Sequence, residues 1–93
     1  MPRPRNRRRI RINPNSYYYK PRGIPLRDLE EIEITLEELE ALRLKDHLQL
    51  DQKDAAEKMQ VSQPTFHRII KNARQKLASA VVEGKAIKIE KKD

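Results

Sequence analysis

Residues 55–66, Ala-Ala-Glu-Lys-Met-Gln-Val-Ser-Gln-Pro-Thr-Phe, decide the fold of this chain. Two helices that cross steeply after a turn of three or four residues need small side chains where their backbones approach, and Ala55 and Ala56 supply them. Val61 offers one apolar side chain for the corner between the helices, and Phe66 begins the inner face of the second helix. This spacing predicts a helix-turn-helix, although a generic helical hairpin shows the same pattern.

The helix after the turn is predicted to run from residue 63 to about residue 82. Ser62 is a capping residue, and Pro64 falls in the first turn, where a missing amide hydrogen costs little. Gly84 ends the helix. Apolar residues at spacings of three and four form its core stripe: Phe66, Ile69, Ala73 and Leu77. Gln60 occupies a turn position that often adopts the left-handed conformation, where any residue but glycine costs roughly 1 kcal/mol.

Two shorter helices are predicted before the turn. Thr35 and Glu38 have the spacing of a capping box, and they start a first helix at 35–47. Its leucines are predicted to face inward and its charged residues outward: Leu36, Leu39, Leu42 and Leu44 inside, Glu37, Glu38, Glu40 and Arg43 outside. Asp51 caps a second helix at 52–59, whose thin apolar face includes Met59.

The rest of the chain divides into three segments. Residues 1–12 form a basic, flexible arm; residues 13–34 form an extended segment packing on the helices; residues 84–93 form a short strand and a basic tail. The helical domain covers residues 35–83. The predicted fold class is mainly α, a three-helix helix-turn-helix unit of winged-helix-like size with short strands before and after the helices.

Within the extended segments, four stretches carry local predictions. Residues 26–31 favour a helical turn and residues 31–34 a brief strand. Ala86, Ile87 and Ile89 alternate with charged residues like a final strand. Tyr17, Tyr18 and Tyr19 favour a strand, in which alternation sends the first and third tyrosine one way and the second the other. At least one tyrosine is therefore predicted to pack on the helices.

Charge is unevenly distributed along the 93 residues, whose net charge is +7. Residues 1–22 carry eight basic residues and no acidic one, residues 23–62 carry five basic and eleven acidic, and residues 63–93 carry eight basic and three acidic. A polyanion is attracted to the two ends and repelled by the middle. Nucleic acid is the predicted partner, and a solvated basic surface is the alternative.

Composition excludes several other classes. The chain has no cysteine, which removes disulfides, zinc fingers and thiol catalysis. No apolar run approaches the roughly 20 residues of a membrane span, and no apolar signal core follows the basic amino terminus. His47 and His67 lack carboxylates at metal-ligand offsets, and no nucleophile or phosphate loop accompanies the glutamates. We therefore expect a cytoplasmic, nucleoid-associated protein that is not an enzyme and has no metal, cofactor or membrane partner.

The polar face of the third helix supplies the candidate contacts. If its core stripe faces inward, residues near its start face out, where Gln can bond adenine, Arg can bond guanine and Thr can touch a thymine methyl. The predicted base contacts are Gln63, Thr65, His67 and Arg68. The predicted phosphate contacts are Ser62, Lys71, Arg74, Lys76, Arg3, Arg5, Arg7, Arg8 and Arg9. An ordinary polar helix face and a solubility-enhancing arm are the alternatives.

The run from Thr35 to Leu77 resembles region 4 of bacterial sigma factors. The resemblance rests on Leu-Glu-Ala-Leu-Arg-Leu in the first helix, Ala-Ala-Glu-Lys-Met-Gln-Val-Ser across the turn, and Phe-His-Arg-Ile-Ile-Lys-Asn-Ala-Arg-Gln-Lys-Leu after it. From Pro2 to about Glu90 the chain is similar to a family of small uncharacterised prokaryotic proteins that are predicted to bind DNA. The shared stretches are Met-Pro-Arg-Pro-Arg at residue 1, Tyr-Tyr-Lys-Pro-Arg-Gly-Ile-Pro-Leu at 18, Leu-Glu-Glu at 29, Glu-Leu-Glu-Ala-Leu-Arg-Leu-Lys-Asp at 38 and Val-Glu-Gly-Lys-Ala at 82.

The family implies DNA binding without a known target. Position by position, the base contacts of a region-4-like module fall on the same four residues of the third helix. Pro64 departs from the polar residue usual in sigma factors, and Gln60 replaces the usual glycine. Some longer relatives carry an added domain resembling one that binds a nitrogenase metal cluster; we expect none in this chain.

Partners follow from these features. Double-stranded DNA is the main predicted partner, with RNA polymerase as a second. Ile70, Val81 and Val82 lie beside the core stripe, so they cover the tyrosine segment, cover the last strand, or form a homodimer interface, which we favour. Two other functions remain open: RNA binding through the arm and tyrosines, and an interaction module whose acidic first helix docks on transcription machinery.

Overall fold

The structure of the protein is a computed structural model that describes residues 9–91. Three helices form most of it: α1 at Leu36–Leu42, continued by a π-helical turn at Arg43–His47, α2 at Gln52–Met59, and α3 at Gln63–Glu83. Three short strands flank them: β1 at Tyr18–Tyr19, β2 at Glu31–Ile34 and β3 at Ala86–Ile89. A 3-10 turn at Leu26–Asp28 precedes β2.

The helices begin where the capping residues predict. The Thr35 hydroxyl accepts from the amide of Glu38 at 3.1 Å while the Thr35 amide donates to the Glu38 carboxylate at 3.0 Å, which completes a capping box. The Asp51 carboxylate accepts from the Asp54 amide at 2.9 Å at the start of α2. Ser62 and Gly84 bound α3, with Gly84 in the left-handed conformation. These local predictions are confirmed.

The end of the first helix differs from a regular α-helix. The amide of Leu48 donates to the carbonyl of Arg43 at 2.8 Å, a bond across five residues that widens the last turn. The next residue, Gln49, takes a positive φ of 63° and ends the helical run. Leu44, inside the wide turn, is only 1% exposed, so the widened turn still directs this leucine into the core.

The main core lies between the three helices. Phe66 is completely buried, as the sequence predicts, and Ile70, placed beside the stripe by sequence, is also in this core. The other buried members come from α1, the π-helical turn, α2 and α3: Ala41, Leu44, Ala55, Ala56, Met59 and Ile69. Val61 packs against them from the turn. The small residues of α2 and the aromatic ring of α3 therefore share one buried core.

A second core connects the sheet to α1. The strand order is β1-β3-β2, with β3 parallel to β2 and antiparallel to β1. Ile34, Leu36 and Ile89 form its buried centre. The carboxylate of Glu90, just after β3, accepts from the Leu36 amide at 2.8 Å and so supports the start of α1. The strands were predicted one by one, but their pairing across the helical domain was not.

The tyrosine segment is only partly packed. Tyr17 contacts the second core, which confirms that at least one tyrosine packs inward. Tyr18 and Tyr19 are 43% and 54% exposed. Tyr19 is therefore not packed as Tyr17 is, although strand alternation predicts that the two point the same way. β1 is only two residues long and lies at the sheet edge, where neither of its side chains is covered by another layer.

Two glutamates of α1 are buried, which corrects the prediction that they lie on a solvated helix face. Glu38 and Glu40 are 7% and 1% exposed. Glu38 accepts from Lys76 of α3 at 2.8 Å, and Glu40 accepts two bonds from the guanidinium of Arg43, each at 2.9 Å. The carboxylates can be buried because each has a cationic partner.

The described part of the basic arm is held against the helices. The amide of Arg9 donates to the carbonyl of Met59 at 3.0 Å, and the amide of Arg11 donates to Glu40 at 3.2 Å. Ile10, between them, is half-buried against the second core. Residues 9–11, which belong to the predicted arm, therefore already contact the folded domain.

Candidate nucleic-acid interface

The turn between α2 and α3 reverses the chain over three residues. Gln60 adopts the left-handed conformation with φ 59° and ψ 45°, as predicted for this position. Its amide donates to the carbonyl of Glu57 at 3.0 Å, and the amide of Val61 donates to that of Ala56 at 3.1 Å. These bonds satisfy the end of α2, and Ser62 then caps α3 at once.

The outer face of α3 near its start is polar and basic. Gln63, His67, Arg68 and Lys71 are all exposed, as the inward-facing core stripe predicts. Positions 64, 68, 71 and 75 recur at spacings of four and three, so they lie along one face of the helix. Among residues 9–91, no hydrogen bond or ion pair engages the side chains of Arg68 and Lys71. Their full charge is available to an external anion.

Two of the predicted DNA contacts, Ser62 and Thr65, take part in the cap at the start of α3. The Ser62 hydroxyl accepts from the Thr65 amide at 3.2 Å and donates to the Thr65 hydroxyl at 3.0 Å. Thr65 itself is half-buried, which leaves less of its methyl for a base than the sequence suggests. Ser62 is exposed, but its hydroxyl already donates to the hydroxyl of Thr65.

Arg74 is exposed but has a carboxylate partner. Its guanidinium donates two bonds to Asp46 of the π-helical turn, from Nε at 3.0 Å and from Nη2 at 2.6 Å. This hydrogen bonding lowers the pKa of Asp46 and raises the pKa of Arg74, so the pair stays charged at neutral pH. A phosphate would have to compete with Asp46 for this side chain.

Lys76 lies on the packed side of α3, away from the exposed basic face. Its ammonium donates to the carbonyl of Glu33 at 2.9 Å and to the carboxylate of Glu38 at 2.8 Å. The lysine thus joins α3 to β2 and to the capping box of α1. A phosphate would therefore have to compete with these internal partners, which sequence alone could not reveal because they lie 43 and 38 residues away.

The arm begins beside the turn. Arg9 is exposed, and its amide is bonded to Met59, the last residue of α2. The other four predicted contacts of the arm, Arg3, Arg5, Arg7 and Arg8, lie outside the described residues. The exposed basic face of α3 and the described end of the arm are therefore both adjacent to the same short turn.

One positioning contact was not foreseen from the sequence. The side-chain amide of Gln52, the first residue of α2, donates to the carbonyl of Gln63, the first residue of α3, at 3.4 Å. The contact joins the first residues of the two helices. A polar residue at the start of a helix is too common to signal it.

No metal-binding cluster of three or more His, Asp or Glu side chains occurs within the described range 9–91. In the same part of the chain, none of the helices has the length and apolar character to cross a membrane. A surface groove of about 590 Å³ runs between the extended residues 11–15 and the first helical run, and is lined by Arg11, Leu42, Arg43 and His47 among others. It is an open groove, apart from the face of α3.

Fold and surface together define a small three-helix protein with a three-stranded sheet and a basic face at the start of its longest helix. Across residues 1–93 the chain matches the family described as "Protein of unknown function DUF134", and it belongs to that family.

Similar proteins from several organisms are described as UPF0251 proteins. One, from Caldanaerobacter subterraneus subsp. tengcongensis, is 58% identical over 90 residues, covering 97% of this chain and 76% of the relative. Another, from Dehalococcoides mccartyi, is 54% identical over 90 residues, covering 97% and 77%. A third, from Moorella thermoacetica, is 53% identical over 90 residues, and the chain spans only 60% of its length. No solved structure matches the chain.

Proposed function

We propose that the protein binds double-stranded DNA with sequence selectivity, through a helix-turn-helix formed by α2, the turn at residues 60–62, and α3. The observation that carries the proposal is a pair of exposed cations on the outer face of α3, Arg68 and Lys71, which have no partner among residues 9–91 and follow the fully buried Phe66. The core fixes the helix, so the polar residues are held outward. The resemblance to region 4 of sigma factors supports the same interpretation.

The dimensions of α3 suit the major groove. An α-helix with side chains is about 10–12 Å wide, and the groove is about 12 Å wide. Gln63, His67 and Arg68 are the proposed base contacts, and Lys71 is the proposed phosphate contact beside them. Thr65 is a weaker candidate because it is half-buried. We leave Arg74 and Lys76 out of the core of the interface because both bind carboxylates within the protein.

Duplex affinity should fall steeply as salt concentration rises. Lys71 and the five arm arginines could neutralise about six phosphates, which gives a slope of about −5 in a plot of log affinity against log salt. Fluorescence anisotropy with a labelled random duplex, followed by selection of bound sequences, measures both the slope and the selectivity. Single-stranded RNA of equal length is the competitor. The proposal fails if RNA displaces every duplex or if no duplex binds.

RNA binding is the second candidate, and one observation favours it. Tyr18 and Tyr19 are exposed on the edge strand, where aromatic rings can stack on unpaired bases. The interaction module based on an acidic first helix loses support, because two of the three glutamates of α1 are buried. RNA polymerase remains a secondary partner in our proposal. As a regulator of transcription, the protein would act at the nucleoid in the cytoplasm.

We infer that the protein forms a homodimer through the carboxy-terminal end of α3. Val81 and Val82 are 78% and 82% exposed, the highest exposed fractions among the large hydrophobic residues of the described part of the chain. Burying a valine is worth roughly 1.5 kcal/mol or more, and a symmetric interface contains each residue twice. A dimer would also place two copies of α3 on half-sites one DNA turn apart.

Val82→Lys should weaken the dimer more than 100-fold, because roughly 3 kcal/mol of burial is lost from the two copies. Analytical ultracentrifugation over a range of concentrations measures the dissociation constant. Gln75→Lys, at an exposed position of the same helix, adds the same charge and should leave it unchanged. A wild-type protein that stays monomeric at high micromolar concentration would exclude the homodimer.

A further inference from the structure

The surface groove between residues 11–15 and the first helical run has the size of a small-molecule site. Its volume is about 590 Å³, and ligand sites in proteins usually measure about 300–1,000 Å³. One wall is the extended segment, and the other belongs to α1 and the π-helical turn that continues it. Leu39, Arg43 and His47 recur every four residues, so they lie on one face of this helical run. The fold thus joins side chains of two separate segments in one groove.

Part of the lining is apolar. Ile12, Leu39 and Leu42 line the groove, and all three are half-buried. Leu39 packs against the second core and Leu42 against the main core, so these two side chains are held in place. The apolar surface that they leave uncovered would lose water on contact with a hydrocarbon or aromatic group, which stabilises a complex. A ligand of this groove should therefore carry an apolar part.

The charged part of the lining is cationic, because Arg11 and Arg43 both line the groove. The guanidinium of Arg11 has no hydrogen-bond or ion-pair partner within residues 9–91, although the backbone amide of this residue donates to Glu40. Arg43 donates to Glu40 through Nε and Nη2, which leaves its Nη1 without a partner in the same part of the chain. A cleft lined by charges of one sign concentrates ions of the opposite sign. The ligand should therefore be an anion.

The charge balance of the site favours a single negative charge on this ligand. The two arginines contribute two positive charges, and the carboxylate of Glu40, which is 1% exposed and bound to one of them, offsets one. The remaining charge matches a carboxylate, whereas a phosphate ester carries about −1.5 to −2 at neutral pH. A free guanidinium can donate two parallel hydrogen bonds to a carboxylate. Asn13, Asn15 and His47 also line the groove and are exposed, so their side chains can donate further bonds.

We propose that this groove binds a small organic carboxylate whose apolar part lies against Leu39 and Leu42 and whose carboxylate is bound by Arg11 and Arg43. The π-helical turn supports the proposal, because such turns occur frequently at functional sites. Binding here is separate from DNA binding, since none of the proposed base contacts lines the groove. The site therefore stands or fails independently of the proposed function.

Titration of the isotope-labelled, full-length protein with sodium benzoate tests the site by nuclear magnetic resonance. Benzoate should shift the amide signals of residues 11–15 and 42–47 and reach saturation, with a dissociation constant on the order of 1 mM for so few ligand atoms. Benzamide has nearly the same shape without the charge. It should bind at least about 10-fold more weakly, because the charge-assisted bonds to the arginines are lost. Sodium chloride at the same concentration controls for ionic strength.

Arg11→Gln is the variant that isolates the cation. It removes the guanidinium but keeps the backbone amide that donates to Glu40, so the fold should be unchanged. The dissociation constant for benzoate should rise at least about 10-fold. Arg22→Gln is the matched control, because it makes the same change of charge at an exposed arginine outside the groove. It should change the constant less than about 2-fold, since salt screens distant exposed charges.

The carboxylate site is overturned if benzoate does not saturate these signals, if benzamide binds as tightly, or if the two variants lose affinity equally. Phenyl phosphate separates the two kinds of anion, because it has the same ring and a larger negative charge. It should bind no more tightly than benzoate. Tighter binding of phenyl phosphate would mean that the groove takes a phosphate ester, contrary to the proposal.

Discussion

Phe66→Ala should lower the free energy of unfolding by about 3–5 kcal/mol, the range for removing a buried phenylalanine ring. The ring is fully buried in the core cluster that also contains Ala55, Ala56 and Met59 of α2 and the leucine of the π-helical turn. Small domains have total stabilities near the lower end of about 5–15 kcal/mol. This one substitution should therefore unfold a large part of the population at 37 °C.

Chemical denaturation followed by circular dichroism measures this loss. Phe66→Leu keeps most of the apolar volume and should cost about 1–2 kcal/mol, while Gln75→Ala, at an exposed position of the same helix, should change stability by less than about 0.5 kcal/mol. If Phe66→Ala costs no more than Gln75→Ala, the aromatic ring is not the centre of the helical core, and the outward direction of Arg68 no longer follows.

The features of the fold that the sequence predicts are the local ones. Thr35, Asp51 and Ser62 cap their helices because a capping bond joins residues three apart, so the signal is contained in a few positions. The inward direction of Phe66 follows from helical spacing alone. Gln60 takes the left-handed conformation because the turn requires it, whatever residue stands there.

The features that the sequence does not predict depend on distant partners. The buried Glu40 accepts from the amide of Arg11, 29 residues earlier, and the buried Glu38 accepts from Lys76, 38 residues later. Neither pairing is visible in the periodicity of α1, where both glutamates look solvent-facing. β2 and β3, which pair in parallel, lie on either side of the helical domain in the sequence. Their pairing therefore also depends on partners that are distant along the chain.

The candidate interface likewise has features that the sequence predicts and features that it does not. Gln63, His67, Arg68 and Lys71 are exposed as predicted, since helical periodicity alone fixes which residues of α3 face outward. Charge alone could not show which cations have internal partners. Lys76 turned out to hold α1 and β2, and Arg74 pairs with Asp46, 28 residues away. A basic residue on a predicted DNA-binding helix is therefore a contact only if the fold leaves it unpaired.

Arg68→Glu combined with Lys71→Glu should reduce duplex affinity at least 100-fold. Each cation can meet a base edge or a phosphate, and a good base contact discriminates by about 1–3 kcal/mol. Reversal adds repulsion from the polyanion to the lost attraction. Loss of the phosphate-neutralising charge of Lys71 would also lower the salt slope by about 0.9. Neither side chain has a partner in the described residues, so the fold should keep its stability.

The matched control is Arg22→Glu combined with Arg27→Glu, which changes net charge by the same amount. Both arginines are exposed, and they lie in the segment between Pro21 and Glu30. Pro21 and Glu30 themselves lie near the carboxy-terminal end of α3. Since α3 has 21 residues and is about 31 Å long, that end is far from its first turns. The duplex affinity of the control variant should fall less than 10-fold, because only its net charge has changed. Equal losses in the two proteins would mean that net charge, and not the face of α3, binds the duplex.

Selection of sequences separates base contacts from phosphate contacts on this face. Arg68→Ala should relax selectivity at one base pair, because a bidentate donor to guanine is lost. Arg8→Ala should weaken binding to every duplex alike, because a phosphate contact carries no sequence information. If the two variants select the same sequences as the wild type, α3 does not enter the major groove with Arg68 at a base. Arg68 would then act through phosphates only, and sequence selectivity would have to come from other residues of this face, such as Gln63 or His67.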